Sequence, residues 1–230
     1  MIIGGLQKNS LIDYPGKVSC IIFLSGCNFD CPYCYNPDLA KGRPPMVIPR
    51  TAVYDFLDRR KGFLDGVVLS GGEPTIHKEL FSFCETIRQM GYPIKLDTNG
   101  SQPQVIQRLI AERLVDYIAM DIKTDPLNYA PIIQKNCNSD HILSSIRIIM
   151  DSSIRHEFRT TCVKPLVDAD IIQRISQLIK GSMLYALQRF QNVGVLHPEF
   201  FKEDDLAEDD EFLFSLKAIA TPWVQKCIVR

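Results

Sequence analysis

The stretch DGVVLSGGEPTIHKELFSFCETIRQMGYPIKLD, residues 65–97, decides the fold class. It begins with DGVVLS, a short apolar run typical of a buried β-strand, and continues into an amphipathic helical pattern that ends at Gly91. A second apolar run, YPIKLD, follows directly. A strand, a helix and a strand in immediate succession form a βαβ unit, whose two strands are parallel. The stretch therefore predicts an α/β fold.

The same alternation continues in both directions along the chain. Further strands are predicted at 18–25, 116–122, 155–163 and 183–190, and further helices at 51–61, 102–113, 141–153, 168–181 and around 206–218. Six such units are fewer than the eight of a closed TIM barrel. We therefore expect a single domain over residues 1–230, an α/β, partial (β/α)6 TIM-type barrel that is open on one side, with short N- and C-terminal extensions.

Composition narrows the class of protein. The formal net charge is −1 and charges of both signs are mixed along the chain, which argues against a nucleic-acid partner. The first 17 residues lack the pattern of a signal peptide, and no apolar run is long enough for a membrane span. We therefore expect a cytoplasmic protein without a membrane partner, whose eight cysteines are reduced thiols or metal ligands.

Three cysteines lie close together in GCNFDCPYCYN, residues 26–36: Cys27, Cys31 and Cys34. A structural zinc site takes four Cys or His ligands, and the four histidines of the chain are scattered. A [4Fe–4S] cluster ordinarily takes four thiolates, so three would leave one iron open to a small molecule. An open cluster is the prediction, and a zinc-stabilised binding or scaffold protein without catalysis stays an alternative.

Polar residues recur where the predicted strands end. They are Gly71, Gly72, Glu73 and Pro74 after the second strand, Asp97, Thr98, Asn99 and Gly100 after the third, Asp121 and Lys123 after the fourth, and Arg159 in the fifth. Taken singly, the first two groups could be simple turns and the charged residues could be surface charges. Ligands bind at the carboxyl ends of parallel strands, however, so together these residues predict one binding site.

The cysteine segment resembles the C-x3-C-x-aromatic-C motif of radical S-adenosylmethionine (radical SAM) enzymes, a family with partial TIM barrels. DYPG (13–16), GGEP (71–74), DTNG (97–100) and the pair Asp121 and Lys123 resemble motifs of its glycyl-radical activating enzymes, those of anaerobic (class III) ribonucleotide reductase in particular. The likeness covers nearly the whole chain. Tyr35 and Phe190 stand where related activators have histidines, which weakens assignment to pyruvate formate-lyase.

The resemblance implies a role for each motif. Cys27, Cys31 and Cys34 would hold one [4Fe–4S] cluster whose open iron binds S-adenosylmethionine. The implied cofactor-binding residues are Tyr33 beside the cluster or adenine; Gly71, Gly72, Glu73 and Pro74 at the methionine ammonium; Asp97, Thr98, Asn99 and Asp121 around the methionine pocket and a monovalent cation; and Lys123 and Arg159 at the methionine carboxylate.

The implied reaction is reductive cleavage of S-adenosylmethionine to a 5′-deoxyadenosyl radical, which generates a glycyl radical on a partner enzyme, anaerobic ribonucleotide reductase. The electron would come from a flavodoxin or ferredoxin. Alternatives are radical chemistry on a small molecule, as in 7-carboxy-7-deazaguanine synthase, and activation of pyruvate formate-lyase. The acidic stretch at 202–211 could dock a partner or be a solvated helix face.

Overall fold

The structure is a computed structural model that describes residues 1–129, 133, 138–191, 193–201 and 210–230. Eight described strands form one sheet in chain order. They are β1 (Ile2–Ser10), β2 (Ser19–Ser25), β3 (Gly66–Gly71), β4 (Ile94–Thr98), β5 (Tyr117–Asp121), β6 (Arg155–Cys162), β7 (Tyr185–Arg189) and β8 (Cys227–Val229). Strands β2 to β8 are parallel, whereas β1 is antiparallel to β2. The described sheet is not closed, because β1 and β8 are its two edges.

Helices connect the parallel strands. They are α1 (Pro37–Ala40), α2 (Arg50–Arg59), α3 (Leu80–Gln89), α4 (Pro103–Ala111), α5 (Ser139–Asp151), α6 (Ala169–Leu178) and α7 (Asp210–Ala220). Local sequence fixes where several of them start. Asp168 caps α6 by accepting a hydrogen bond from the Ile171 N–H at 2.7 Å, and α4 begins with Pro103, whose missing N–H costs nothing in a first turn.

Because side chains alternate between the two faces of each strand, the sheet has two separate clusters of buried apolar side chains, one on each face. Residues on the outer face, such as Leu69, Leu96 and Met120, are fully buried against the helices. The inner face carries a smaller apolar cluster that includes Val68 and Ala119. Because side chains alternate between the faces of a strand, the inward positions that follow these apolar residues present polar groups at the carboxyl end of the sheet.

The open barrel that the sequence predicts is confirmed, and the six predicted strands correspond to β2 to β7. Two strands were outside the prediction. The segment IIGGLQKNS of β1 contains two glycines and has no clean alternation, and β8 is only three residues long. The acidic stretch falls mostly outside the described residues, apart from Asp210 and Glu211 at the start of α7.

The single-domain assignment stays a prediction. Within the described ranges, none of the helices combines the length and the apolar composition that a membrane span requires.

Candidate active site

The cysteine segment forms a loop, residues 26–36, that follows β2 and is called the cluster loop below. Its start is held by α1: the Gly26 N–H donates to the Leu39 carbonyl at 2.7 Å, and the Cys27 N–H donates to the Ala40 carbonyl at 3.1 Å. Further along, the Cys34 N–H donates to the Cys31 carbonyl at 3.0 Å. Backbone bonds therefore shape the loop, and one further backbone group, the Phe29 N–H, donates to the Cys27 sulfur at 3.4 Å.

The three thiols line one cavity of about 400 Å³ at the carboxyl end of the sheet. Burial raises the pKa of the Cys27 thiol to about 11 and that of the Cys31 thiol to about 12. Both are therefore protonated at neutral pH, and metal binding must displace their protons. The other described cysteines, Cys20, Cys84, Cys162 and Cys227, are buried elsewhere and do not line this cavity; Cys137 lies outside the described residues.

The GGEP turn lies directly against the start of the cluster loop. The Gly72 N–H donates to the Leu24 carbonyl and the Glu73 N–H donates to the Gly26 carbonyl, both at 2.8 Å. A Cβ on Gly72 would lie 2.0 Å from the Gly26 oxygen, and one on Gly71 would lie 2.5 Å from the Leu24 oxygen. The two glycines are therefore required by contact between two backbone segments, and both also line the cavity.

Glu73 lies behind the cavity wall. Its fully buried carboxylate accepts hydrogen bonds from the Thr75 N–H at 3.0 Å, the Thr98 hydroxyl at 2.8 Å and the Asn99 N–H at 2.6 Å. Burial raises the pKa of Glu73 above its ordinary value, against the opposing effect of these donors. Neither Glu73 nor Pro74 is among the residues that line the cavity. Their placement therefore favours an indirect role, in which Glu73 ties the GGEP turn to the end of β4.

The DTNG segment joins this assembly to the cluster loop. The Asn99 side-chain amide donates to the Asn28 side-chain oxygen at 3.0 Å, and its nitrogen is 4.0 Å from the Cys27 sulfur. The Asn28 amide in turn donates to the Ser101 hydroxyl at 2.8 Å. Thr98 and Asn99 both line the cavity, so this segment contributes to the wall and also holds the loop in place.

Five charged residues, called the charged wall below, are Lys95, Asp97, Asp121, Lys123 and Arg159. All of them except Lys95 line the same cavity as the thiols. Arg159 donates to Asp121 at 2.6 Å and to Asp97 at 3.2 Å. Lys123 donates to Asp121 at 3.0 Å, and Lys95 donates to Asp97 at 2.6 Å. The pairing follows from strand register, because Asp121 and Arg159 are direct neighbours on β5 and β6. Three cations and two carboxylates give this group a net charge of +1.

Electrostatics keep the charged wall ionised. Burial alone would raise the pKa of Asp121, but the Arg159 guanidinium and the Lys123 ammonium outweigh burial and hold this pKa well below its ordinary range. The pKa of Asp97 is lowered in the same way, against burial, by Arg159 and Lys95. Asp121 correspondingly raises the pKa of Lys123, although burial opposes that shift. The wall can therefore present fixed charges to a ligand.

Tyr33 connects the cluster loop to the charged wall. It is only 3% exposed, and its hydroxyl donates to the Lys123 carbonyl at 3.4 Å. The Lys123 ammonium lies 5.9 Å from the centre of the ring, within the range of a cation–π interaction. Tyr33 thus places the middle of the cluster loop against the end of β5.

Comparison with known proteins identifies the family. The profile of the radical SAM superfamily matches residues 21–178, which covers more than half of the chain. The chain belongs to the radical SAM superfamily. This assignment agrees with the cysteine motif and establishes an enzyme that uses a [4Fe–4S] cluster and S-adenosylmethionine.

Individual relatives of this radical SAM enzyme point in two directions. A protein of Methanocaldococcus jannaschii named "putative glycyl-radical enzyme activating enzyme" is 34% identical over 236 residues, which cover 100% of this chain and 95% of the relative. The 7-carboxy-7-deazaguanine synthase of Haemophilus influenzae is 29% identical over 140 residues, 60% of this chain and 57% of the relative. The crystal structure of QueE from Escherichia coli supports the fold, with a TM-score of 0.59 and 14% identity over 100% of this chain and 93% of that one.

The donor set of the radical SAM enzyme fits its cluster. Thiolates are the protein ligands of iron–sulfur clusters, and the cavity brings three thiols together beside a wall of fixed charges. The structure also brings together all the predicted site residues except Glu73 and Pro74. Those that line the cavity are Cys27, Cys31, Tyr33, Cys34, Gly71, Gly72, Asp97, Thr98, Asn99, Asp121, Lys123 and Arg159.

Sequence reasoning missed several lining residues of the radical SAM enzyme. Those that were given no role include Phe29, Ser70, Thr161 and Asp13, the first residue of the DYPG segment. The Ser70 hydroxyl donates to Asp97 at 3.1 Å, and Thr161 is two residues beyond Arg159 on β6, hence on the same face. Alternation could have identified Thr161. Asp13 precedes β2, in a connection at the opposite end of the strand from the cluster loop, so no strand-end argument could find it.

Proposed function

We propose that this radical SAM enzyme is a glycyl-radical enzyme activating enzyme and that its partner is anaerobic ribonucleotide reductase. The observation that carries the proposal is the 34% identity over the full chain with the activating-enzyme relative from M. jannaschii. The DYPG, DTNG and Asp121–Lys123 motifs support the same subgroup, and the likeness to the ribonucleotide reductase activators supports the specific partner.

Cys27, Cys31 and Cys34 would hold the [4Fe–4S] cluster. When bound, the cluster supplies the electron that cleaves S-adenosylmethionine to methionine and a 5′-deoxyadenosyl radical, which takes a hydrogen atom from a glycine of the partner. The chain's own contribution is to orient the ligand and exclude water. The buried Cys31 and the buried Tyr33 serve that exclusion.

The charged wall would bind the polar end of S-adenosylmethionine. Lys123 and Arg159 are the proposed partners of the carboxylate, because both are cations that line the cavity. Asp97, Thr98 and Asp121 would contact the ammonium or a monovalent cation, since carboxylate and hydroxyl oxygens accept from such groups. Gly71 and Gly72 would offer backbone groups to the ligand, with no side chain in between.

The open side of the sheet would admit a loop of the partner. Because β1 and β8 do not pair in the described structure, a polypeptide has lateral access that a closed barrel would deny. A flavodoxin or ferredoxin is the proposed electron donor, and the cytoplasm is the proposed location.

A radical reaction on a small molecule is the second candidate. The identity to the H. influenzae 7-carboxy-7-deazaguanine synthase favours it, but that relative matches only 60% of the chain. The two candidates share the cluster and the charged wall and differ in the source of the abstracted hydrogen.

The deciding experiment follows that hydrogen atom. Anaerobically reconstituted enzyme is reduced with dithionite and mixed with S-adenosylmethionine and anaerobic ribonucleotide reductase, produced either with ordinary or with α-deuterated glycine. We expect a glycyl-radical signal in electron paramagnetic resonance and deuterium in the 5′-deoxyadenosine. The Cys31→Ala variant should give neither.

If 5′-deoxyadenosine forms without a glycyl signal, ribonucleotide reductase is not the partner. A glycyl signal on pyruvate formate-lyase, tested in parallel, would move the assignment to that enzyme. Deuterium transferred from neither protein would support the small-molecule candidate.

A further inference from the structure

The side chain of Asn99 lies beside the thiol of Cys27. Asn99 is only 5% exposed, and its backbone N–H donates to the Glu73 carboxylate at 2.6 Å, which fixes the main chain of the residue. Its side-chain nitrogen is 4.0 Å from the Cys27 sulfur. The Phe29 N–H donates to the same sulfur at 3.4 Å. Two nitrogen donors from different segments of the chain therefore converge on one sulfur.

Three residues hold the Asn99 amide in a closed ring of hydrogen bonds. The Ser101 N–H donates to the Asn99 side-chain oxygen at 2.9 Å, and the Asn99 side-chain nitrogen donates to the Asn28 side-chain oxygen at 3.0 Å. The Asn28 nitrogen donates in turn to the Ser101 hydroxyl at 2.8 Å. The ring fixes the orientation of the amide, because a flipped Asn99 would place its NH₂ group against the Ser101 N–H, a donor against a donor.

One N–H of the Asn99 amide is left for the sulfur. A primary amide has two N–H donors, and the bond to Asn28 uses one of them. The second is on the same nitrogen, whose separation of 4.0 Å from the Cys27 sulfur is long for a hydrogen bond. The contact is therefore mainly an interaction between the amide dipole and the charge of a thiolate, and the low polarity of a buried site strengthens it.

We propose that the Asn99 amide raises the reduction potential of the cluster by stabilising the negative charge that the Cys27 sulfur gains on reduction. Hydrogen bonds to the sulfurs are among the features that set the potential of an iron–sulfur cluster. The inference rests on ligation of the cluster by Cys27, which belongs to the proposed function, and it holds for any partner. Asn99 acts through Cys27, so it is a positioning residue whose effect appears in the potential as well as in activity.

The potential is measured on anaerobically reconstituted holoenzyme without S-adenosylmethionine, so that binding of this ligand does not enter. Redox mediators hold the solution at the midpoint potential of the unmodified enzyme, and visible absorbance and electron paramagnetic resonance give the ratio of reduced to oxidised cluster. The variants are Asn99→Ser, which loses the donor without adding charge, and Asn99→Asp, which replaces the donor by a carboxylate oxygen. Asn28→Ala opens the ring and leaves Asn99 in place.

Asn9→Asp is the matched control for the added charge. Asn9 is exposed on β1, and the register of β1 against β2 places it at the opposite end of these strands from the cluster loop. Roughly 20 Å of strand separates the two ends. This separation exceeds the Debye length of about 8 Å at physiological ionic strength, so the ratio in Asn9→Asp should stay within about 1.5-fold of the unmodified enzyme.

We expect the ratio of reduced to oxidised cluster to fall about fivefold in Asn99→Ser, because the reduced state loses a donor. For a one-electron couple a tenfold change in this ratio corresponds to about 59 mV, so the expected shift is about 40 mV. Asn99→Asp should lower the ratio about tenfold, since its carboxylate also repels the added electron. Asn28→Ala should lower it about twofold, because the amide keeps its place but loses its fixed orientation.

A fall in Asn99→Asp alone, with the ratio of Asn99→Ser unchanged, would mean that only charge acts on the cluster, and the inference would be overturned. It would also be overturned if Asn99→Ser lost as much iron as Cys27→Ala, because Asn99 would then only support the loop. A Cys27→Ala variant with full iron content and an unchanged ratio would refute the ligation and with it the inference. A lower ratio at full iron content in Asn99→Ser would support the inference even if no glycyl radical formed on any partner tested.

Discussion

The cavity has a thiol wall, formed by Cys27, Cys31 and Cys34 of the cluster loop, and the charged wall, and the two are held together by different interactions. In the cluster loop, burial raises the pKa of the Cys27 and Cys31 thiols, and backbone bonds hold the loop. In the charged wall, Asp97 and Asp121 are kept ionised by cations that lie within 3.2 Å of them. The thiol wall still requires iron to bind its sulfurs. In the charged wall the positive and negative side chains already neutralise each other to within one charge. Substitutions in the thiol wall should therefore reduce cofactor binding, and substitutions in the charged wall should reduce the stability of the fold.

Cys31→Ala is expected to have the largest effect on activity and a small one on stability. It removes one of three cluster ligands, so iron content should fall and cleavage of S-adenosylmethionine should become undetectable. The cluster-free protein should lose only about 1 kcal/mol of unfolding free energy, because a small buried side chain is shortened by one atom. Iron analysis, visible absorbance and denaturant titration measure these quantities. A variant that retains cluster and cleavage would contradict the assigned ligation.

Arg159→Met is expected to have the largest effect on stability. It leaves Asp97 and Asp121 buried without their shared cation, which should cost about 3–5 kcal/mol of unfolding free energy. Anaerobic denaturation of the cluster-free protein measures this loss. Adding Asp121→Asn should recover part of it, because one of the uncompensated charges is then removed.

Arg108→Met is the matched control for Arg159. Arg108 pairs with Glu112 at 2.7 Å on the exposed surface of α4, where an ion pair is worth less than about 1 kcal/mol. If the two arginine variants lose similar stability, Arg159 does not compensate the buried charges of Asp97 and Asp121 as described above.

The sequence predicted the thiol wall and most of the charged wall for different reasons. The cysteines were found by their spacing alone, because a metal cluster requires its ligands close together. Asp121 was found because it lies at the end of a predicted parallel strand, and Arg159 because the next predicted strand carries it. That these two residues pair with each other could not be predicted, since their pairing depends on the register of β5 against β6.

The resemblance implied that Glu73 contacts the methionine ammonium, and this role stays a prediction. In the structure the Glu73 carboxylate accepts hydrogen bonds from the Thr98 hydroxyl and the Asn99 N–H at the end of β4. A loop glutamate flanked by Gly72 and Pro74 carries no signal of burial, because burial depends on how the turn meets a distant segment. Strand β1 escaped prediction for a related reason: its pairing with β2 is specified by the partner strand more than by its own irregular pattern.

Glu73→Gln is expected to have an intermediate effect on stability. It tests whether the Glu73 carboxylate stabilises the GGEP turn. The new amide places a donor among four groups that all donate to the carboxylate, which should cost about 1–3 kcal/mol of unfolding free energy. Glu112→Gln, at an exposed position, should cost less than about 0.5 kcal/mol. A Glu73→Gln variant with unchanged stability but lost binding of S-adenosylmethionine would restore the direct contact that the sequence suggested.

Tyr33→Phe is expected to have the smallest effect and asks which part of Tyr33 joins the two walls. The hydrogen bond from its hydroxyl is long, at 3.4 Å, so its loss should cost about 0.5 kcal/mol of unfolding free energy. Tyr33→Ala should instead cost about 3–5 kcal/mol, because it removes a buried ring and the aromatic face above which Lys123 lies. Denaturant titration of both variants separates the two contributions. If Tyr33→Phe already loses most of the stability that Tyr33→Ala loses, the hydroxyl is the link between the cluster loop and the charged wall. If it does not, packing of the ring is the link, and any aromatic residue at this position would maintain it.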